Sequence, residues 1–173
     1  MSLYTHFTNK DELLDLMYAE VAGRMYADQG LPTWQAELTE LCHRARRILL
    51  EHPNWAPLLS RPAQPLAVSL RERVLTLMAA DGMQESDAFN ALTSVNLSAL
   101  GLVLVELSLG RPAGESALEQ RWDMLKNWVD SESGADHAMT RSAMSKLGRL
   151  RFAETFKFAI EALITGLETK RVR

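Results

Sequence analysis

The sequence predicts an all-α protein. Every periodic apolar segment repeats at helical spacing, no alternating apolar and polar run is bounded by hairpin turns, and Asn, Pro and Gly fall where helices would start or stop. With 173 residues, 47% hydrophobic and 24% charged, the chain is long enough to bury a core, and no repeat, long linker or low-complexity segment divides it.

Asn9 followed by Glu12 forms a capping-box-like start, after which Leu13, Leu14, Met17, Val21 and Met25 draw one apolar stripe up to Asp28-Gln29-Gly30. The second helix carries Leu38, Leu41, Cys42, Ala45, Ile48 and Leu49 on one face. It stops at His52-Pro53, because proline disfavours helical geometry in the residue before it. A short helical turn is expected from Trp55 to Leu59, then a kinked loop at Arg61-Pro62-Ala-Gln-Pro65. Leu66, Leu70, Val74, Leu77 and Met78 carry a helix ended by Asp81-Gly82. From Ser86 to Leu109 a longer helix is apolar on more than one face and so requires neighbours on both sides; Gly110-Arg-Pro112 ends it. Leu118, Trp122, Leu125 and Val129 define another helix, followed by a polar loop from Asp130 to Asp136 and a weaker helical stretch from His137 to Leu147. The last helix, Arg151 to Thr169, has a wide stripe of Phe152, Phe156, Ala159, Ile160, Leu163 and Leu167, with Phe158 and Ala162 on a second face.

The formal net charge of −3 leaves no overall basic excess of the kind a phosphate-binding face usually produces, though a small local basic face is compatible with it. One cysteine, Cys42, precludes an internal disulfide, and no basic segment leading into an apolar run opens the chain, so the expectation is a cytoplasmic protein. The most apolar stretch, Leu97 to Leu109, is about a dozen residues against the ~20 a spanning helix needs, which places it in a core or an interface with no membrane partner. Phosphate-loop, dinucleotide and zinc signatures are absent, and the chain reads as a non-enzyme with no catalytic residue, metal or cofactor. Glu40-Leu-Cys-His43 matches the Glu-x-x-His spacing of di-iron bundles, but those sites need two copies and two further glutamates, so the pair reads as an ordinary surface or core arrangement. Cys42, on the apolar stripe, reads as a small buried hydrophobe. Trp34, Trp122 and Trp128 suit packing, whereas Trp55 falls in an irregular region where a pocket wall and plain packing are equally good readings.

Ser2-Leu-Tyr-Thr-His-Phe-Thr-Asn-Lys10 followed by Asp-Glu-Leu-Leu-Asp-Leu resembles the junction in TetR-family regulators where the recognition helix of the helix-turn-helix ends and the fourth helix begins. The likeness continues at Trp34-Gln35, Leu49-Leu-Glu-His-Pro53, Arg61-Pro62, Ala91-Leu-Thr-Ser-Val95, Leu100-Gly101, Val103-Leu104 and Phe156-Lys-Phe-Ala-Ile-Glu-Ala-Leu-Ile-Thr-Gly-Leu-Glu168, in the manner of the tetracycline-repressor branch. Only the region from about Gly110 to Leu147 carries no landmark. The resemblance implies a TetR-like C-terminal helical domain: residues 1–8 as a remnant of the DNA-binding head, and residues 9–173 as the ligand-binding and dimerisation domain. On that reading the first two head helices are absent from the chain as given, Met1 is an internal methionine, and this chain dimerises without gripping an operator.

The implied function is a ligand-responsive transcriptional regulator, a repressor, acting as a homodimer on operator DNA under the control of a small-molecule effector that either releases or promotes DNA binding. Ligand would shift the helix from about Asn9 to Tyr26 and change the spacing of two recognition helices whose half-sites lie about 34 Å apart. A helical ligand-binding or dimerisation protein without DNA binding is the alternative. Tyr4, His6 and Lys10 fall where the family's DNA contacts lie, with Ser2 and Thr5 as weaker candidates; a lysine in a first helical turn opposes the helix dipole unless a phosphate is its partner. Leu3 and Phe7 read as the hydrophobic hinge. Positions that hold polar drug contacts and a metal-binding histidine in the tetracycline repressor appear here as Tyr26, Leu41, Ala45 and Leu59, so a largely apolar or aromatic ligand is expected in place of a magnesium chelate. Trp55, Arg61, Asn96 and Leu100 join them as wall and orienting groups. The two helices that read apolar on more than one face would form a four-helix bundle with their symmetry mates.

Overall fold

The computed structural model describes residues 9–60, 68–110, 115–131, 137–148 and 151–169, and they are helical with no strand among them. The helices are α1 (Lys10–Met25), α2 (Trp34–Glu51), α3 (Val68–Ala80), α4 (Glu85–Gly110), α5 (Glu115–Ser131), α6 (Ala138–Leu147) and α7 (Phe152–Glu168), with a 3-10 helix, Pro53–Ser60, after α2.

Local chemistry sets the ends of these helices. Asn9 Oδ1 accepts the Glu12 N–H at 2.8 Å, and Thr33 Oγ1 accepts the Ala36 N–H at 3.2 Å, so each satisfies an amide that the first helical turn leaves open. The α3 helix stops where Gly82 takes φ 87°. There the N–H groups of Gly82 and Met83 return to the carbonyls of Ala79 and Met78, each at 3.0 Å, a closure that a side chain at Gly82 would strain.

Packing centres on α2, which touches α1, α3, α4, α7 and the 3-10 helix. Its Trp34, Leu38, Cys42, Ala45 and Leu49 are fully buried, together with Val21 and Met25 of α1, Val74 and Met78 of α3, and Phe156 and Ile160 of α7. Two polar ties fix the arrangement. Trp34 Nε1–H donates to Asp81 Oδ2 at 2.8 Å, joining the start of α2 to the end of α3. Arg46 grips Glu106 of α4 through two hydrogen bonds of 2.8 and 2.6 Å, the two-pronged geometry that makes arginine–carboxylate pairs strong. Beside α4, α5 and α6 pack as a pair.

Three expectations need correction. The α1 stripe does not run into the core along its whole length: Met17 is exposed, Tyr18 is buried, and Leu13 and Leu14 in the first turns are only half-buried, with Leu14 packed at the edge of the core. The stretch Leu97 to Leu109 is only half of its helix. Glu85–Leu109 is continuous, and by length and composition it is apolar enough to cross a membrane. One side of α4, with Ala88, Ala91, Val95, Ala99 and Val103, is nevertheless buried in the core, and Glu106 is held by Arg46. The opposite side leaves Phe89, Leu104 and Val105 exposed, with Leu97 at 63%. Third, the stripe on α5 is not buried along its described length: Val129 is buried and Trp122 half-buried, while Leu125 is exposed, as is Trp128 beside it. The Arg61–Pro65 loop and most of the expected loop from Asp130 to Asp136 lie outside the described residues.

Candidate effector cavity

A cavity of about 280 Å³ opens where α1, α2, the 3-10 helix, α3 and α4 converge. Its walls are mostly leucine: Leu41 from α2, Leu59 from the 3-10 helix, Leu70 from α3, and Leu92, Leu97 and Leu100 from α4. The helical repeat puts Leu92, Asn96 and Leu100 on one stripe of α4, so an uninterrupted helix delivers an apolar wall with one carboxamide in its middle. Tyr18 and Tyr26 enter from α1 and its C-cap, and Thr93 and Arg71 complete the lining. The volume lies near the lower end of ligand clefts, about 300–1,000 Å³, and the composition, apolar walls with a few convergent polar groups, matches them.

The Tyr26 side chain hydrogen-bonds with that of Asn96. Burial pushes its phenol above the ordinary tyrosine range, an effect opposed in part by the Asn96 bond and by the positive charge of Arg71. Tyr26 is therefore neutral near pH 7 and available as a donor. Cys42 lies behind the wall, and burial pushes its thiol up to about 12, so it is an inert filler with no nucleophilic character.

The junction between α1 and α2 is bound by buried charge. Glu37, fully buried, accepts the N–H of Gln29 at 3.0 Å and of Leu31 at 2.9 Å. Arg73 of α3 lies 3.9 Å from Glu37 and 3.0 Å from Asp28, and donates to the Leu31 carbonyl at 2.8 Å. Arg44, also buried, donates to the Ala27 carbonyl. The loop that carries the end of α1 is thus clasped by α2 and α3, the helices that also supply the cavity's Leu41, Leu70 and Arg71.

Of the residues read from sequence, Tyr26, Leu41, Leu59, Asn96 and Leu100 come together around this cavity. Trp55 does not: it stacks on His52, ring centroids 4.0 Å apart, beneath Arg24 at 5.8 Å. Ala45, one turn from Leu41, sits in the core instead. Arg61, Ser2, Tyr4, Thr5 and His6 lie outside the described residues, and Lys10 is exposed on the first turn of α1. Tyr18, Leu70, Arg71, Leu92, Thr93 and Leu97 were not read from the sequence; the stripe Leu70, Val74, Met78 was visible, and Arg71 borders it. Glu40 faces Arg44 at 3.5 Å and His43 packs edge-on against Phe156, and no cluster of three or more metal-ligating side chains occurs among the described residues. Two further clefts of about 320 Å³ each, one beside Trp34 and Asp81, the other between Trp122 and Arg141, lack the leucine walls.

Residues 27–171 match the model of the tetracyclin repressor-like C-terminal domain. The chain belongs to this family. An HTH-type transcriptional regulator of Saccharopolyspora erythraea is 36% identical over 110 residues, 61% of this chain and 46% of that protein, so the match spans less than half of the relative. Among solved structures, a TetR from Streptomyces coelicolor has a TM-score of 0.77 at 19% identity, covering 99% of this chain and 82% of that one. The ActR protein of the same organism, in complex with actinorhodin, gives 0.75 at 22% identity over 96% and 79%. TetR from Acinetobacter baumannii gives 0.67 at 22% over 98% and 79%. At these identities the structural likeness establishes the all-α tetracyclin repressor-like fold, to which this order of helices conforms.

Proposed function

We propose that residues 9–173 are the effector-binding and dimerisation core of a ligand-responsive transcriptional regulator, a repressor whose small, largely apolar effector occupies the leucine-walled cavity. The observation that carries this reading is that the cavity is built partly from α1. Tyr18 and Tyr26 line it from the helix that, by the family pattern, connects to the DNA-reading head. A ligand that touches both ends of this contact has differential affinity for positions of α1, which is the requirement for shifting a conformational equilibrium. The curated relative is an HTH-type regulator and ActR holds actinorhodin, and both agree with such a role. In this reading Tyr4, His6 and Lys10 contact operator phosphates, with Ser2 and Thr5 beside them. The exposed apolar faces of α4 and α7, with Leu104, Val105 and Phe158, pair with those of a second copy.

Because Cys42 is buried and its thiol stays protonated, a Lys10→Cys variant offers one reactive site per protomer for a spin label. Effectors found by thermal shift are then added at saturation, and the distance between the two labels is measured. The reading expects a shift of the distance distribution; an unchanged distribution with the cavity occupied would sink the mechanism.

A further inference from the structure

Among the described residues the cavity has one charged side chain in its lining, and it is a cation. Arg71 is exposed at the mouth, its guanidinium carbon 5.6 Å from the centre of the Phe89 ring. Neighbouring arginines already have carboxylates: Arg46 meets Glu106 at 2.6 Å and Arg73 meets Asp28 at 3.0 Å. Among the described residues Arg71 has no such ion pair, and no carboxylate lines the cavity. The remaining polar groups of the lining are two phenols, one carboxamide and one hydroxyl. The positive charge reaches inward far enough to favour ionisation of the Tyr26 phenol against its burial.

These facts give the cavity a polarity. Its interior, walled by leucines and the rings of Tyr18 and Tyr26, accepts an apolar body, Tyr26 and Asn96 offer hydrogen bonds, and the mouth presents a guanidinium with no ion pair, held over an aromatic face. Among the described residues, a cationic amphiphile would meet Arg71 with no acid in the lining to balance it, and a chelated metal would find neither carboxylate nor imidazole there. A carboxylate is what a guanidinium fork matches best, through paired N–H donors.

We propose that the effector is an aromatic carboxylic acid whose ring system fills the leucine-walled cavity and whose carboxylate pairs with Arg71 at the mouth. The proposal rests on the reading of this cavity as the effector site. Arg71 acts as the residue that selects the charge of the ligand, and the leucines set its apolar bulk.

The test uses matched pairs of probes: naphthoic acid with naphthamide, and anthracene carboxylic acid with its carboxamide. Binding is measured by calorimetry near neutral pH, where the acids are ionised, to the unaltered chain and to Arg71→Gln, Arg71→Lys and Thr93→Trp. Arg71 and Thr93 are both exposed, so these changes spare the core. At least one acid should bind about ten-fold more tightly than its amide, a partly screened charge-assisted bond. That preference should close to about two-fold in Arg71→Gln, return in part in Arg71→Lys, which restores the charge without the fork, and narrow with added salt. Thr93→Trp, which fills the mouth, should weaken acid and amide alike. Equal binding of acid and amide to the unaltered chain would overturn the proposal and leave the cavity reading standing, provided Thr93→Trp weakens both. Binding that Thr93→Trp leaves unchanged would overturn both readings. A preference for acid that survives Arg71→Gln, or a panel in which no acid binds, would also overturn the proposal.

Discussion

Replacing Glu37 with leucine should destabilise the chain by about 3 kcal/mol, although the new side chain is apolar and the site is fully buried. The carboxylate accepts two loop amides, Gln29 at 3.0 Å and Leu31 at 2.9 Å, and stands 3.9 Å from Arg73. Hydrogen bonds to a charged group contribute about 1.5–3 kcal/mol each, and removing one partner of a buried ion pair costs about 3–5 kcal/mol. Arg73 is one-third exposed and keeps Asp28 at 3.0 Å, so the lower end of that second range applies and the two ranges overlap rather than add. Glu37→Gln keeps an acceptor and loses the charge, and about half the loss is expected. In a protein of this size each kcal/mol moves the melting temperature by about 2–4 °C, so Glu37→Leu should melt about 6–12 °C lower. Urea titration at fixed protein concentration reads both variants, the concentration mattering because subunit association would add its own stability. A loss under about 1 kcal/mol for Glu37→Leu, or equal losses for Leu and Gln, would refute the assignment of this carboxylate as the anchor of the α1–α2 loop.

Alkaline pH offers a second test through Cys42. Its folded-state pKa, about 12, stands above the ordinary 9.0, so the fold favours the protonated thiol; the contribution is complete below pH 9 and is lost as pH rises from 9 towards 12. The stability difference between the unaltered chain and Cys42→Ala should shrink over that window, and a difference independent of pH would contradict the buried thiol; Tyr26 acts in the same direction in both proteins. Third, Val105→Glu and Phe158→Glu place charge on exposed apolar positions of α4 and α7 and should halve the mass seen by analytical ultracentrifugation while leaving helicity unchanged. Dimers that persist in both variants would move the interface elsewhere.

Much of the helix order could be read because its signals are local. Asn9, His52-Pro53 and Asp81-Gly82 act within four residues of themselves, and each stands at a helix end in the structure. The family resemblance brought five cavity residues, but the α3 contribution was hidden. Leu70 and Arg71 point about 100° apart on a helix, and the sequence does not say which flank of the Leu70, Val74, Met78 stripe borders the opening. Ala45 shows the same ambiguity from the other side, since it shares a stripe with Leu41 yet belongs to the core. Glu37 was illegible for another reason. A glutamate in the first turn of a helix looks like an ordinary dipole partner, and its real partners are loop amides six and eight residues earlier and an arginine on α3. Met17 misled because a periodic stripe records what a helix could bury, whereas the face that α1 turns to the core carries Leu14, Tyr18, Val21 and Met25 and leaves Met17 outside.

The 26 residues of α4 do two jobs on one rigid rod: Leu92, Asn96 and Leu100 wall the cavity, and Leu104 and Val105 remain bare on its outer side. Leu97 belongs to both, lining the cavity while 63% exposed. If a second copy covers that outer side, filling the cavity and joining two chains become linked equilibria, and linkage is reciprocal: whatever pairing does to the affinity for a small molecule, the small molecule does to pairing, by the same factor. A dissociation constant measured on dilute protein would then differ from one measured where the chains are associated, and the ratio of the two would itself report how strongly this helix couples its inner and outer faces.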